Sequence, residues 1–260
     1  YLGKEIERDI NKAIHYFTLA ANKNNMNAQR YLGIIYYEGK YIEKDINKAI
    51  HYHTLAANQN FALSQCCLGI IYYQGKYVEC DINKAIHYFT LSANQNESQA
   101  QFYLGIIYYS GERIQRDINK SIHYFTLAAN QNESQAQFYL GYIFSEGEYV
   151  ARNINKAIYY FSLAANQNDD KSQLNLGIIY YSGKFVERDI NKAIYYFTNA
   201  ANQNNDSAQF YLGSIYLDGK YVDRDTSKAI FYFKLAAGNN NSQALICLGI
   251  NKAIHKLNLI

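Results

Sequence analysis

Residues 98–132 read SQAQFYLGIIYYSGERIQRDINKSIHYFTLAANQN, and this stretch decides the fold because most of it recurs along the chain. Leu-Gly pairs return every 36 residues, at Leu32, Leu68, Leu104, Leu140, Leu176, Leu212 and Leu248. Lys-Ala, once Lys-Ser, follows sixteen residues after each of the first six leucines. A strict period of this length is the signature of a repeat protein, so the period sets the organisation of the 260 residues.

The first half of each repeat has the spacing of a helix. In residues 98–110, small or apolar side chains fall at Ala100, Leu104, Ile107 and Tyr108, the i, i+4, i+7, i+8 pattern of one helical face. A glycine follows, as expected for a left-handed helix cap. These glycines are Gly39, Gly75, Gly111, Gly147, Gly183 and Gly219.

The second half of each repeat predicts another helix. It begins with a residue whose side chain can cap the first free amides. These predicted N-caps are Asp45, Asp81, Asp117, Asn153, Asp189 and Asp225. Apolar residues then follow at helical spacing, as at Ile122, Phe125 and Ala129, and an Asn-rich turn closes the unit, since asparagine tolerates left-handed geometry. The unit is therefore a helical hairpin, with no proline and no strand-like alternation.

Small residues predict tight packing between the helices. Gly105 and its equivalents lie within the first helix, where glycine costs about 1 kcal/mol relative to alanine. Close approach of a neighbouring helix would offset that cost in every copy. The small side chains of Ala128 and Ala129 likewise allow a neighbouring helix to approach the second helix closely.

The motif AQ-x-x-LG-x-x-Y-x-x-G followed by D-x-x-KA-I-x-Y-F-x-x-AA resembles the Sel1-like repeat, a relative of the tetratricopeptide repeat, over essentially the whole chain. The resemblance implies an all-α fold, a right-handed α-solenoid of antiparallel helical hairpins. It also implies a role as an adaptor or scaffold. Asparagine stands after the double alanine where family members often have glycine, and we expect little effect on the fold.

We predict a single solenoid over residues 1–260 with irregular ends. The predicted repeats are a truncated one at 1–25, full ones at 26–60, 61–96, 97–132, 133–168, 169–204 and 205–240, and a truncated capping repeat at 241–260. Residues 241–259 are expected to form one longer capping helix, because solenoids need atypical terminal repeats. The start at Tyr1, within a repeat, suggests a fragment of a longer protein.

Charge and composition exclude several classes of function. The net charge is +3, from 25 basic and 22 acidic residues without a basic stripe, which disfavours nucleic acid and anionic membranes as partners. No apolar run approaches the roughly 18 residues of a membrane span. Cys66, Cys67, Cys80 and Cys247 do not recur with the period, so free thiols in a reducing, cytoplasmic setting are predicted.

No catalytic or metal site is predicted, and no cofactor. His15, His51, His87 and His123 share one register, but repeats separated by two packed helices hold them too far apart to share an ion. His53 stands where other copies have phenylalanine and is interpreted as a tolerated core substitution. Phosphate loops and nucleophile elbows are absent. Some cysteine-rich Sel1-like proteins are linked to penicillin binding, but their paired cysteines are missing here, so β-lactam hydrolysis ranks last among the alternatives.

A helical wheel divides the first helix into two faces. Leu104, Ile107, Tyr103 and Tyr108 fall on the core side, and Phe102 with its two companions at 106 and 109 falls opposite. By the resemblance, first helices line the concave surface, so the opposite side would form an apolar, tyrosine-rich groove. We call it the candidate partner face: Ile34, Tyr37, Ile70, Tyr73, Phe102, Ile106, Tyr109, Phe138, Tyr142, Leu174, Ile178, Tyr181, Phe210 and Leu217.

Two interpretations of this face stay open. It could hold a protein or peptide partner, which makes the chain a non-catalytic interaction scaffold, or it could mediate self-association. Alternatively, its residues could pack between adjacent first helices and belong to the core. Nothing in residues that vary so little among copies identifies a partner.

Overall fold

A computed structural model of the protein describes the backbone of residues 9–257 and the side chains of residues 9–249. This part of the chain forms fourteen helices and contains no strand, which confirms the all-α prediction. The helices are α1 (Ile10–Ala21), α2 (Met26–Glu38), α3 (Ile46–Asn58), α4 (Ala62–Gln74), α5 (Ile82–Ala93), α6 (Ser98–Ser110), α7 (Ile118–Ala129), α8 (Ser134–Glu146), α9 (Ile154–Ala165), α10 (Asp170–Ser182), α11 (Ile190–Asn202), α12 (Asp206–Asp218), α13 (Thr226–Gly238) and α14 (Ser242–Leu257).

Each repeat is an antiparallel hairpin of a first helix and a second helix, as predicted. In the hairpin of α6 and α7, Gln131 Nε2 donates to Gln101 Oε1 at 2.8 Å, which joins the start of α6 to the end of α7. At the other end, Lys120 Nζ lies 5.1 Å from the centre of the Tyr108 ring. The two helices therefore run in opposite directions.

Helix ends follow the predicted capping chemistry. Asp117 Oδ1 accepts from the Lys120 backbone amide at 3.0 Å, and this bond lowers the pKa of the Asp117 carboxyl. The other predicted caps accept in the same way, including the neutral Asn153. The six predicted glycine caps have φ between 61° and 66°. The turns between repeats place asparagine at φ between 60° and 65°, at Asn24, Asn60, Asn96, Asn132, Asn168, Asn204 and Asn240.

The core lies between the two helices of each hairpin. One leucine from the first helix and one phenylalanine from the second are fully buried in most repeats, as Leu104 and Phe125 are. The close approach predicted from Gly105 is present, and the approaching group is the Phe125 ring of the same hairpin. Apolar burial of this kind is the main source of stability in the repeat.

A line of buried glutamines connects consecutive hairpins. Gln101, 1% exposed, donates to the Ala93 carbonyl at the end of the preceding second helix, at 3.3 Å. The equivalent donor–acceptor bonds to carbonyls span 3.2–3.3 Å at Gln29, Gln65, Gln173 and Gln209. Each of these helix-terminal carbonyls also accepts from the backbone amide of the asparagine three residues later, so the glutamine adds a second hydrogen bond to it. The sequence motif contains this glutamine, but its role was not predicted.

The chain divides into two compact units, Tyr1–Gln131 and Asn132–Ile260. In the first unit, each helix from α1 to α7 packs on the next one in sequence, and α4 also touches α6. In the second unit, α8 to α14 pack in the same way, and α10 touches both α8 and α12. This stacking of hairpins is the predicted α-solenoid.

The prediction of truncated repeats and a cap at the two ends stays a prediction. Helix α14 has 16 residues, against 12 or 13 in the others, and covers most of the predicted capping helix. The last residues of that prediction, 258–259, lie outside the described residues, as do residues 1–8 of the truncated first repeat. Within the described part of the chain, no helix is long and apolar enough to cross a membrane.

Candidate functional site

The candidate partner face is mostly half-buried. Thirteen of its fourteen residues have intermediate exposure, and Tyr142 is the exception at 37% exposed. On the core side of the wheel, Leu104 is fully buried and Ile107 is 2% exposed, whereas Tyr103 and Tyr108 have intermediate exposure. The opposite side is therefore neither bare surface nor true core.

Its tyrosines pack between consecutive first helices. The Tyr73 ring lies 5.7 Å from the Tyr103 ring and 6.5 Å from the Phe89 ring, all in the first unit. In the second unit, Tyr181 lies 6.0 Å from Tyr211. These contacts support the packing interpretation for the two tyrosines of the face.

Its phenylalanines pack within their own hairpins. Phe102 lies 5.9 Å from Phe125, ring centre to ring centre. Equivalent ring pairs, at 6.0 and 5.8 Å, are Phe138 with Phe161 and Phe210 with Phe233. Partner binding by these residues is not tested by such contacts and stays a prediction.

One part of the face opens into a cavity of about 180 Å³ in the first unit. Three of the predicted residues contribute to it, and its walls are largely apolar. The cavity is lined by Ile34, Tyr37, Glu38, His53, Cys67, Ile70 and Ile71. The structure therefore brings together predicted residues of α2 and α4 with four residues that sequence reasoning did not assign to any site, namely Glu38, His53, Cys67 and Ile71.

The cavity lies at a junction between repeats where both residues of one recurring contact differ from the usual ones. At three other junctions in this register, a second-helix phenylalanine stacks on a tyrosine of the next first helix, whereas Asn175 and Cys247 replace that tyrosine at two more. The ring centres are 4.8–5.2 Å apart in Phe17–Tyr31, Phe89–Tyr103 and Phe197–Tyr211. Here His53 replaces the phenylalanine and Cys67 replaces the tyrosine. Both changes remove volume at the same point.

Burial sets the charge state of these two residues. His53 is 1% exposed, and burial, reinforced by the nearby Arg30 charge, lowers the pKa of its imidazole to about 4. Its Nδ1 lies 3.4 Å from Ser64 Oγ. Burial also raises the pKa of the Cys67 thiol, against the opposing effect of Arg30. Near neutral pH both groups are uncharged, so the thiol lacks the thiolate character of a catalytic nucleophile.

Four further histidines share one register on the second helices. His15, His51, His87 and His123 are exposed, and each lies edge-on against the neighbouring tyrosine. Among residues whose side chains are described, no three of His, Cys, Asp and Glu come together as metal ligands.

A stripe of exposed aromatic side chains was not predicted as a site. In the second unit, Tyr159, Tyr195 and Phe231 occupy the register of those histidines on the second helices and are 56–61% exposed. The signal for it was the change from histidine to an aromatic residue at position 159. Exposed apolar surface of this unit thus lies on the second helices as well as at Leu245 and Ile246 of α14.

The stacked hairpins and their half-buried apolar faces place the chain in the class of helical repeat proteins. Within that class, the chain belongs to the Sel1 repeat family, which it matches at residues 1–25, 27–61, 62–97, 98–133, 134–169, 170–205 and 206–241. Sel1 repeat proteins generally act as protein-interaction scaffolds. None of the curated proteins matches the chain significantly.

Two solved structures are similar to the chain. The structure of c5321, a protective antigen present in uropathogenic Escherichia coli strains and displaying an SLR fold, shares 29% identity with a TM-score of 0.88. That match covers 93% of this chain and 52% of c5321, so the chain spans about half the length of that protein. A Sel1 repeat protein from Oxalobacter formigenes shares 27% identity with a TM-score of 0.73, over 89% of this chain and 100% of that one.

Proposed function

We propose that the chain is a non-catalytic scaffold that binds a protein or peptide partner on its candidate partner face. The observation that carries this proposal is the open apolar cavity among Ile34, Tyr37 and Ile70, within the surface on which we predicted binding. Concave, mostly apolar pockets with a few polar groups are the usual form of binding sites. The role of scaffold agrees with the general role of the family.

The chemistry of the site favours binding over catalysis. The buried thiols of Cys66 and Cys67 have raised pKa values, and His53 is held in its neutral form. A general base or thiolate nucleophile would need the opposite shifts. Hydrolysis of a β-lactam therefore receives no support from these residues.

Comparative capture from a lysate of the source organism tests the proposal. The bait would be the wild-type chain beside the variants Ile34→Glu and Tyr142→Glu, one in each unit, with mass spectrometry of the bound proteins. We expect a specific set of proteins to be lost from at least one variant, because a buried charge opposes docking of an apolar segment. Thermal unfolding of each variant shows whether the bait stays folded.

The control variant is Tyr159→Glu, which places the same charge on the exposed stripe of the second helices. A partner set lost from this control and kept by both face variants contradicts the proposal and assigns binding to the second helices. Light scattering across a range of concentrations tests the self-association alternative, since a scaffold stays monomeric until its partner arrives. Cytoplasmic localisation stays a prediction.

A further inference from the structure

One second helix differs from the others in a single residue near the surface. Position 199 of α11 is asparagine, whereas α1, α3, α5, α7, α9 and α13 have leucine in this register, at Leu19, Leu55, Leu91, Leu127, Leu163 and Leu235. Leu91 and Leu235 are 36% and 39% exposed, and Asn199 is half-buried. The exchange therefore places an amide where the other second helices have apolar surface.

Asn199 lines a surface depression of about 560 Å³ in the second unit, between the end of α9 and α11. Its most buried lining residues are Ala165 and Gln173. Gln173 Nε2 donates to the Ala165 carbonyl at 3.2 Å, and Gln173 Oε1 accepts from Gln203 Nε2 at 2.8 Å. The other lining residues are Asn166, Asn168, Tyr195 and Asn202. The volume lies within the range of about 300–1,000 Å³ that is usual for small-molecule sites.

Four amides of this depression are free to bind a ligand. The side chains of its four asparagines make no hydrogen bond with any described residue. In the first unit, by contrast, Asn96 Oδ1, in the register of Asn168, accepts from Gln101 and Gln131. Each amide has two donors and an acceptor with two lone pairs, so the group suits a ligand whose polar atoms both donate and accept. Hydroxyl groups have this property.

An exposed aromatic ring lies beside the amides. Tyr195 is 61% exposed, and its ring lies edge-on to Tyr196 at 5.1 Å between ring centres. Such a ring offers a ligand an apolar face together with a polar end. The eight residues that line the depression are all uncharged. A matching ligand is therefore neutral, has several hydroxyl groups and presents an apolar C–H face, which is the chemistry of a pyranose sugar.

We propose that this depression binds a neutral sugar ring, which packs its C–H face on Tyr195 and forms hydrogen bonds with Asn199 and the neighbouring amides. The site lies on the second helices and is independent of the candidate partner face on the first helices. At the preceding junction, Tyr159 is similarly exposed, but Leu163 stands in the register of Asn199. That junction therefore has the ring without the additional amide.

Titration of the full chain with cellotriose, maltotriose and chitotriose, three neutral oligosaccharides, tests the site by nuclear magnetic resonance. We expect at least one of them to give saturable shifts of the side-chain amide resonances of Asn199 and Asn202 and of the ring resonances of Tyr195. The ring resonances of Tyr159 should shift less. No saturable binding of any of the three oligosaccharides overturns the proposal.

Asn199→Leu is the matched variant, because it restores the residue of the other second helices and should leave thermal unfolding near that of the wild type. It should weaken binding by about tenfold or more, and binding as tight as that of the wild type would contradict the role of Asn199. Tyr195→His, with the residue found at position 123, should weaken binding similarly. The converse variant Leu163→Asn should produce new shifts at Tyr159. Absence of those new shifts would contradict an amide in this register as the determinant of the site.

Two other solutes separate a sugar ring from less specific ligands. Sorbitol has hydroxyl groups but no ring, so shifts equal to those of the oligosaccharides at the same concentration would overturn packing on Tyr195. The neutral peptide acetyl-Gly-Ser-Ala-Gly-Ser-amide presents amides and hydroxyl groups on a flexible chain. Tighter binding of this peptide than of every oligosaccharide would assign the depression to a peptide and overturn the proposal. The capture experiment on Ile34→Glu and Tyr142→Glu decides the scaffold function separately.

Discussion

The ring of Phe125 lies against the backbone of Gly105, so that a Cβ added to Gly105 would be 2.5 Å from Cδ1 and Cε1 of the ring. No unstrained contact is that short, and both residues are fully enclosed. Gly105→Ala should therefore destabilise the protein by about 1–3 kcal/mol through overpacking. This loss should exceed the gain of about 1 kcal/mol that alanine brings to a helix. Urea unfolding followed by circular dichroism measures the difference.

Gly249 is the matched control for this substitution. It occupies the same register in α14, but no described atom lies within 4 Å of its Cβ position. Gly249→Ala should leave stability unchanged or raise it by up to about 1 kcal/mol, because only helix propensity changes. Equal losses at Gly105 and Gly249 would show that the Phe125 contact is not the cause.

The buried His53 makes stability depend on pH. Its pKa is about 4 in the folded protein and about 6.5 when unfolded, so the unfolded state takes up the proton first as pH falls. Stability is unaffected above about pH 6.5, decreases between 6.5 and 4, and loses about 3 kcal/mol in all by this effect. Urea unfolding at pH 7 and pH 4.5 tests it. His53→Phe should flatten this part of the profile, and an unchanged slope in that variant would exclude His53 as its source.

Gln101 should be needed for stability although it is polar. It donates to the Ala93 carbonyl and to Asn96 Oδ1, and it accepts from Gln131. Gln101→Leu removes these bonds at an expected cost of about 1 kcal/mol, because the Ala93 carbonyl still accepts from the Asn96 amide and Asn96 Oδ1 still accepts from Gln131. Gln131 is exposed, so Gln131→Leu should cost less, and a double-mutant cycle isolates the bond between the two amides. A neutral Gln101→Leu would contradict the role of the glutamines.

The cysteines should differ in their reaction with a thiol reagent. Cys80 is exposed, whereas Cys66 is 2% exposed and burial raises the pKa of its thiol. With the folded protein at pH 8, Cys80 should react in the fastest phase and Cys66 only on opening of the fold. Cys80→Ser should remove the fast phase, and persistence of that phase would mean that a different thiol is accessible.

Local chemistry explains why so much of the fold could be predicted. The caps at Asp117 and Gly111 and the left-handed Asn96 depend on residues a few positions apart, so each copy of the motif carries its own evidence. Because the same capping and turn residues recur in successive repeats, each local prediction is supported several times over. The close approach at Gly105 was predicted for the same reason, although the sequence did not show that a phenylalanine ring makes it.

The site was less predictable because it depends on contacts between repeats. A wheel drawn for one helix separated Leu104 from Phe102 correctly, but it contains no neighbouring helix and so could not show that Tyr73 packs on Tyr103. His53 was interpreted alone, as a tolerated substitution, and the structure confirms its burial. The cavity needs Cys67 as well, fourteen residues later, and the pairing of the two registers appears only in three dimensions.

The hairpins also have a consequence for how such a chain evolves. In each unit, contacts between helices join mainly neighbours in sequence, and the junctions place equivalent positions against each other. After loss or gain of a 36-residue segment, the hairpins on either side would still present matching surfaces to each other. No new type of interface between hairpins would be needed. Copy number can change by recombination between near-identical segments such as 96–105 and 132–141. The junction at His53 and Cys67 differs in sequence from the other junctions. Such a junction would remain recognisable while the number of repeats around it increases or decreases.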